Sequence, residues 1–501
     1  MLNKVLKNTF ANYVLKSVQL FLNLVAIPII INEVGKEAFG IITFAAVFIG
    51  YFNVFDLGIA QGVTKYVSQF LAEKNNEKVN QVINTSLGIF IIIGISISLI
   101  VITGINLGAV DYLKLSDNNY NEAINIFYLT AFMAIFMWPR LVLEGAFKGI
   151  QDFITLNFTV GLGRIFSISL AIIFTKYFNL SIFYIFLAFN LDKFLLCFIQ
   201  YFLLSKKLPF WNFKFKDIDK KTFNLIFVFS GWIMLSQIAI LLEYQLDQFI
   251  LISFVGVSSV ATYVIVFYLF SIIQQISGLA CQAIMPFVSE INVKKKDNLM
   301  NKVIYNGSRY HNMLFVPVVV VIYLFSEPFI KLWVGSDYLE YIWLIKMTII
   351  FQLIWQSNAF MGSVYYGLGM SRKLGLIALI IGIFNIALSL ILTYYMGFPG
   401  VILGTIVVGV FSVPFEYFYI FPDLKINLKK YLKNIFLNIH FPFLFILIVL
   451  SQFEVLLSMI NSWLIFITSA IFTLIFLYLT SYLIGMNRKE KVFFKNYFKL
   501  K

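Results

Sequence analysis

The sequence predicts an all-α polytopic membrane protein with about fourteen transmembrane helices, arranged as two six-helix lobes related by a parallel pseudo-two-fold, plus a C-terminal helix pair. Three observations predict it. Hydrophobic residues make up 60% of the 501 and charged residues only 12%, too few charges to keep a chain of that length solvated in water. The apolar residues fall in continuous windows long enough to cross a hydrocarbon layer about 30 Å thick, which takes roughly 20 helical residues. The stretch from Val34 to Ser86 also returns 221 residues later, from Val255 to Gly307. In that ungapped register Val34-Gly35 falls on Val255-Gly256, Gln61 on Gln282, Val67-Ser68 on Val288-Ser289, Lys74 on Lys295, Asn80 on Asn301 and Val82-Ile83 on Val303-Ile304. Each copy opens on a Val-Gly turn, then runs through an apolar span, a charged polar stretch and another apolar span.

In chain order the windows run at 10–32, 38–60, 83–106, 121–147, 154–175, 181–204, 224–254, 257–282, 308–327, 341–366, 374–396, 400–421, 434–451 and 455–484. They are continuously apolar, and far longer than the roughly 10 alternating residues of a membrane barrel strand. Lys4 and Lys7 precede the first window as in a signal peptide, but the run is too long and lacks a small-residue cleavage site, so it reads as a retained span. Windows one to six form an N-lobe at 1–204, residues 205–221 a cytoplasmic inter-lobe loop or hinge, and windows seven to twelve a C-lobe at 222–425. Residues 426–501 hold the appended pair and a basic tail. Six spans per repeat make both repeats enter from one side, so the symmetry axis lies along the membrane normal with a cavity between the halves. Pro28, Pro139, Pro317 and Pro414 lie inside windows, where each removes a backbone hydrogen bond and serves as a static kink or a hinge.

A net charge of +14 raises the question of nucleic acid, but its placement answers it. With the N-terminus inside, 29 of the 38 Lys and Arg residues fall in inward loops and termini, against Lys36, Lys114, Lys176 and Lys331 outside. That is the bias of a multi-pass protein with both termini cytoplasmic, and it implies no nucleic-acid partner. Cys197 and Cys281 sit in apolar windows and read as small core residues, while His311 and His440 are too few and too far apart to suggest a metal site. No phosphate-cradling glycine motif, nucleophile elbow or cluster of catalytic side chains is present, which argues against an enzyme.

Five basic residues remain inside the windows: Lys16, Arg140, Arg164, Lys193 and Lys346. An ion at mid-bilayer costs about 2.5–3.5 kcal/mol on insertion scales, so embedded charges face a bundle interior or a wet cavity unless they reach an interface. Arg164 and Lys193 lie near mid-span. Lys16 and Arg140 lie roughly two turns from the cytoplasmic end and Lys346 about one turn from the outer end, and for Lys16 and Lys346 snorkelling competes. Arg140, Glu144 and Lys148 form an i, i+4, i+8 column, either a self-neutralising ladder or the lining of a path on which Arg140 exchanges its carboxylate for an anionic ligand. Glu243 and Asp247 share a helix face at i, i+4, and Asp192 and Glu416 occupy other spans. Two carboxylates so close repel, which fits a proton or sodium site; either acid fits equally as the counter-charge of Arg164 or Lys193.

The motif Val-Gly-Lys-Glu-Ala-Phe-Gly at 34–40, Phe-Asp-Leu-Gly at 55–58, and Leu-Asp-Gln-Phe-Ile-Leu at 246–251 followed by Val255-Gly256 and Tyr263 carry a resemblance. In their order and spacing, with the two lobes, the chain resembles the polysaccharide repeat-unit flippases, the O-antigen or Wzx-type branch of the multidrug/oligosaccharidyl-lipid/polysaccharide exporter superfamily. The resemblance spans essentially the whole chain. It implies ion-coupled movement of an undecaprenyl-diphosphate-linked oligosaccharide between leaflets of a bacterial cytoplasmic membrane, beside a glycan polymerase and other assembly proteins. On that reading Arg164, Arg140, Lys193 and Lys16 bind the diphosphate. Glu243, Asp247, Asp192 and Glu144 couple to a proton or sodium ion, with no other cofactor, and Gln61, Gln274, Gln275 and Gln282 contact sugar. A multidrug antiporter of the same superfamily, a membrane-embedded glycan-polymerising enzyme and a non-transporting scaffold of a glycan assembly complex are the alternatives. Embedded cations and two extra spans count against the first, and short outer loops against the second.

Overall fold

A computed structural model describes residues 2–51, 59–113, 115–178, 180–227, 246–281, 284–295, 297–486 and 490–491. Among them the chain is helical and holds no strand, as its apolar windows require. Among the described residues eleven helices are long and apolar enough to cross a membrane, or up to twelve if a bent pair counts as one span. The window at 224–254 falls mostly on residues outside the described set. The windows at 10–32 and 38–60 form one helical run, Leu2–Tyr51, broken at Gly35 into α1 (2–34) and α2 (36–51). Gly35 has φ 83°, and a Cβ there would meet nothing within 4 Å, so the glycine is required by the backbone angle rather than by crowding.

The remaining helices are α3 (Ile59–Ala72), α4 (Asn76–Asn106), α5 (Asp117–Gly149), α6 (Phe153–Phe178), α7 (Ile182–Lys207), α8 (Leu246–Phe254), α9 (Ser258–Cys281), α10 (Ile284–Val293), α11 (Asp297–Lys302), α12 (Ser308–Leu324), α13 (Ser326–Trp333), α14 (Ile342–Trp355), α15 (Ala359–Gly367), α16 (Ser371–Met396), α17 (Phe398–Ile420), α18 (Leu428–Leu432), α19 (Phe441–Ser451), α20 (Glu454–Ser458) and α21 (Trp463–Thr480). The segment Asn298–Leu324 and α13 meet at 59°, so the window at 308–327 is a broken span.

The chain divides into two compact units, Met1–Ala261 and Thr262–Lys501. The sequence repeat is visible in the backbone, its second copy opening inside the first unit. Gly35 and its counterpart Gly256 both have positive φ, 83° and 113°. Lys74 and its counterpart Lys295 both take left-handed angles, φ 55° and 51°, just after α3 and α10. In the first unit a Cβ on Gly149 would press on Val67; in the second a Cβ on Gly367 would press on Val288, the repeat counterpart of Val67. Small residues at such crossings let helix backbones close up where lipid offers no hydrophobic drive for helices to associate.

In the first unit α3 and α4 pack on α5, α1 on α6, and α7 on both α5 and α6. The loop after α7 is strapped to α4 rather than left free. Trp211 is buried and its indole Nε1 donates to Asn84 Oδ1 at 2.9 Å. Asn84 Nδ2 donates to Asn212 O and Asp217 Oδ2, and Asn80 Nδ2 to Phe210 O. Asp219 ends the strap by accepting from the side chain and backbone of Thr222, bonds that hold its carboxyl below the usual range.

Candidate functional site

The first unit brings three of the embedded cations together. Arg140 comes from α5, Arg164 from α6 and Lys193 from α7, and their charges act on one another across the helix contacts. Arg164 retains 23% side-chain exposure. Its Nη1 donates to Phe189 O at 2.6 Å, its guanidinium lies 4.2 Å from the Phe189 ring centre, and Nη1 stands 3.7 Å from Asp192 Oδ1. Asp192 is held from behind, its backbone N–H donating to Ser167 Oγ at 2.8 Å. Lys193 Nζ donates to Asn190 Oδ1 at 2.7 Å, and Asn190 Nδ2 anchors on Phe186 O. Arg140 and Glu144 are i, i+4 on α5 with Nε and Oε1 3.6 Å apart.

Both ion pairs are therefore too long to be hydrogen bonds. Arg140 Nε, Glu144 Oε1 and Asp192 Oδ1 are shielded from solvent and have no hydrogen-bond partner among the described residues. Three cations face two carboxylates, leaving one positive charge in excess and guanidinium donors uncommitted. An anion with several oxygens is the ligand that such an arrangement accepts, because planar guanidinium forks match phosphate oxygens two at a time. Lys148, the foot of the α5 column, is exposed.

The other expected residues are placed elsewhere. Lys16 is exposed on α1, and Gln61 is exposed on α3. Gln274 is half-buried on α9, and Gln275 beside it is exposed, with Nε2 3.3 Å from Ser271 O in its own helix. Asp247 is buried on α8 at 1% exposure, while Glu243 and Gln282 lie outside the described residues. Lys346 is half-buried and bonds Glu454 Oε2 at 2.7 Å, with Glu327 at 4.0 Å. Both cysteines are free thiols.

The sequence reading missed a buried polar network in the second unit. His440 Nε2 lies 2.8 Å from Asn312 Oδ1, and Asn312 Nδ2 donates to Ser308 O and, at 3.4 Å, to Ser357 O. His311 stacks on Phe315 and meets Ser277 Oγ at 3.3 Å. Asn358 Nδ2 donates to Glu416 Oε2 at 2.7 Å. His440, far off in sequence, reaches α12 through Asn312, the chain neighbour of His311.

A family profile described as polysaccharide biosynthesis protein matches residues 5–292, more than half the chain. The chain belongs to this family. Its relatives include an uncharacterised membrane protein, EpsK, of Bacillus subtilis (strain 168), 22% identical over 448 residues that cover 86% of this chain and 85% of that one. A candidate O-antigen transporter of Shigella flexneri is 27% identical over 330 residues, 63% of this chain and 74% of that one. Among solved structures, the lipid II flippase MurJ in an inward closed conformation superposes with a TM-score of 0.70 at 18% identity, over 98% of this chain and 100% of MurJ. An inward-facing multidrug resistance MATE transporter of the MOP superfamily gives 0.68 at 16% identity, over 83% and 98%. At these identities the structures establish the fold. With the family match, they bear out the resemblance carried by the motifs at 34–40 and 246–251, and the chain is a multi-pass membrane protein of the polysaccharide biosynthesis family.

Proposed function

We propose that this family member flips a polyprenyl-diphosphate-linked oligosaccharide from the inner to the outer leaflet of a bacterial cytoplasmic membrane, with both termini cytoplasmic. The observation that carries the proposal is the Arg140, Arg164 and Lys193 cluster, with loose carboxylate pairs and a surplus positive charge. A diphosphate brings the missing negative charge, and its oxygens take up the donors that Asp192 and Glu144 leave unsatisfied. The surplus has the wrong sign for a cationic drug. The two lobes at 1–204 and 222–425 would then rock against each other, carrying the headgroup through alternating access.

The test is complementation of a strain lacking this gene. With Arg164→Ala the protein still inserts, surface glycan is lost and lipid-linked repeat units collect on the cytoplasmic leaflet; normal surface glycan contradicts the proposal. Coupling to a proton or sodium gradient is assigned to buried Asp247 with Glu243. Asp247→Asn should make transport insensitive to collapse of the gradient, and unchanged sensitivity removes Asp247 from the coupling.

A further inference from the structure

The strap that follows α7 is pinned along one side of α4 over about 12 Å, the rise of the helix from Asn80 to Gly88. Asn80 donates to Phe210 O, Asn84 takes the Trp211 indole N–H and gives to Asn212 O and Asp217, and Thr85 Oγ1 accepts from the Asp219 N–H at 3.0 Å. Ile218 closes the run over Gly88, where a Cβ would collide with its Cδ1. A backbone held at these points fixes which side chains face out. Phe215 is left 67% exposed, and its neighbours Lys214 and Lys216 and the later Lys220 are exposed with it.

The two acids of the strap are committed within the unit. Asp217 accepts from Asn84, and Asp219 from Thr222 with Lys221 beside it. Lys214, Lys216 and Lys220 thus present their charge outward around an aromatic ring. Phe215 meets Phe213 at 4.9 Å between centroids, and Phe213 faces the same outward surface as Phe198 and Tyr201 in the last turns of α7, a helix long and apolar enough to cross a membrane. Exposed Phe202 follows them, with the Lys206 ammonium 4.2 Å from its ring centre. An aromatic stripe therefore leaves the outer side of a spanning helix and continues onto the strap, where lysines take over. A bilayer interface favours that order, with rings at headgroup level and ammoniums reaching the phosphates. An acidic protein would match the lysines but not a ring continuous with a surface already in lipid.

We propose that the strap is a membrane-surface anchor, with Phe215 lodged at headgroup level and Lys214, Lys216 and Lys220 holding phosphates of anionic phospholipids in the leaflet where α7 ends. The partner is the bulk membrane, so the assignment stands apart from the transported molecule and from Arg140, Arg164 and Lys193. Each lysine near an anionic leaflet adds an attraction that fades over a Debye length, which makes the anchor sensitive to lipid charge and to salt. Binding to the closed strap alone favours that state: anionic lipid keeps it shut over Asn84, and in neutral lipid it opens from α4 more often.

The test uses the full chain in nanodiscs of phosphatidylglycerol or of phosphatidylcholine. Backbone hydrogen exchange at 212–219 is expected to be about tenfold slower in phosphatidylglycerol, a difference that high salt removes. Equal exchange in the two lipids overturns the anchor. In discs holding both lipids in equal amounts, Phe215 is then replaced by the photoreactive benzoylphenylalanine. Adducts should form with lipid, phosphatidylglycerol exceeding phosphatidylcholine about tenfold, and Lys214→Gln/Lys216→Gln/Lys220→Gln should abolish the excess. Absence of lipid adducts overturns the proposal, as does an equal yield from both lipids with the lysines in place. An adduct with a protein instead of lipid, in whole membranes, also overturns it and gives the surface to that partner. Each readout is independent of whether Arg164 binds a diphosphate, so failure of the anchor leaves the proposed function standing.

Discussion

Inside Met1–Ala261 the embedded charges are paired loosely, at 3.6 Å for Arg140 with Glu144 and 3.7 Å for Arg164 with Asp192. Inside Thr262–Lys501 the embedded cation Lys346 is closed on Glu454 at 2.7 Å, and Glu416 is bonded by Asn358. The same repeat, with matching left-handed residues at Lys74 in one unit and Lys295 in the other, thus carries two different interiors. A closed pair has spent its hydrogen-bonding capacity on itself and serves structure, while an open pair pays the cost of burying charge without completing the bond and keeps donors for a visitor. On the proposed function the first unit binds and the second holds.

Four substitutions sharpen or break that contrast. The largest effect belongs to Arg164→Ala, which should cut flipping of a diphosphate lipid in proteoliposomes about 100-fold, the loss of a charged hydrogen-bonding group. Next, Asn312→Ala removes the link between His440 and Ser308 and should lower unfolding stability in detergent by about 2 kcal/mol, with transport per folded molecule unchanged. A smaller loss, about tenfold in flipping, is expected for Arg164→Lys, which keeps the charge but lacks the fork. The smallest is Glu454→Gln, about 1 kcal/mol of stability and no change in transport, since its partner Lys346 is a structural cation near the surface. Transport lost in Asn312→Ala, or retained in Arg164→Ala, would erase the distinction between the units.

The fold class was legible because hydropathy is a local property: twenty apolar residues announce a span without reference to any neighbour. The repeat was legible for the same reason, and the positive φ of Gly35 and Gly256 explains why the Val-Gly turn recurs. Arg140, Arg164 and Lys193 could be singled out one by one by the cost of charge in a bilayer, but their convergence could not, since it depends on how α5, α6 and α7 pack. The anchoring of the inter-lobe loop was not legible, because nothing near Trp211 in the sequence says that Asn84, more than a hundred residues earlier, accepts its indole N–H. The ion pair of Lys346 was not legible because its partner Glu454 belongs to the appended helices. Polar partnership across long sequence separation is what hydropathy cannot report.

The central claim is that Arg164 grips a diphosphate with its guanidinium fork. Equilibrium binding of a short prenyl diphosphate to the purified chain in nanodiscs tests it directly, comparing the natural protein with the double variant Arg164→Ala/Asp192→Asn, in which the cluster keeps its net charge. The account predicts about 100-fold weaker binding with an unchanged melting temperature. Equal affinity in the two proteins would show that the diphosphate is held somewhere else.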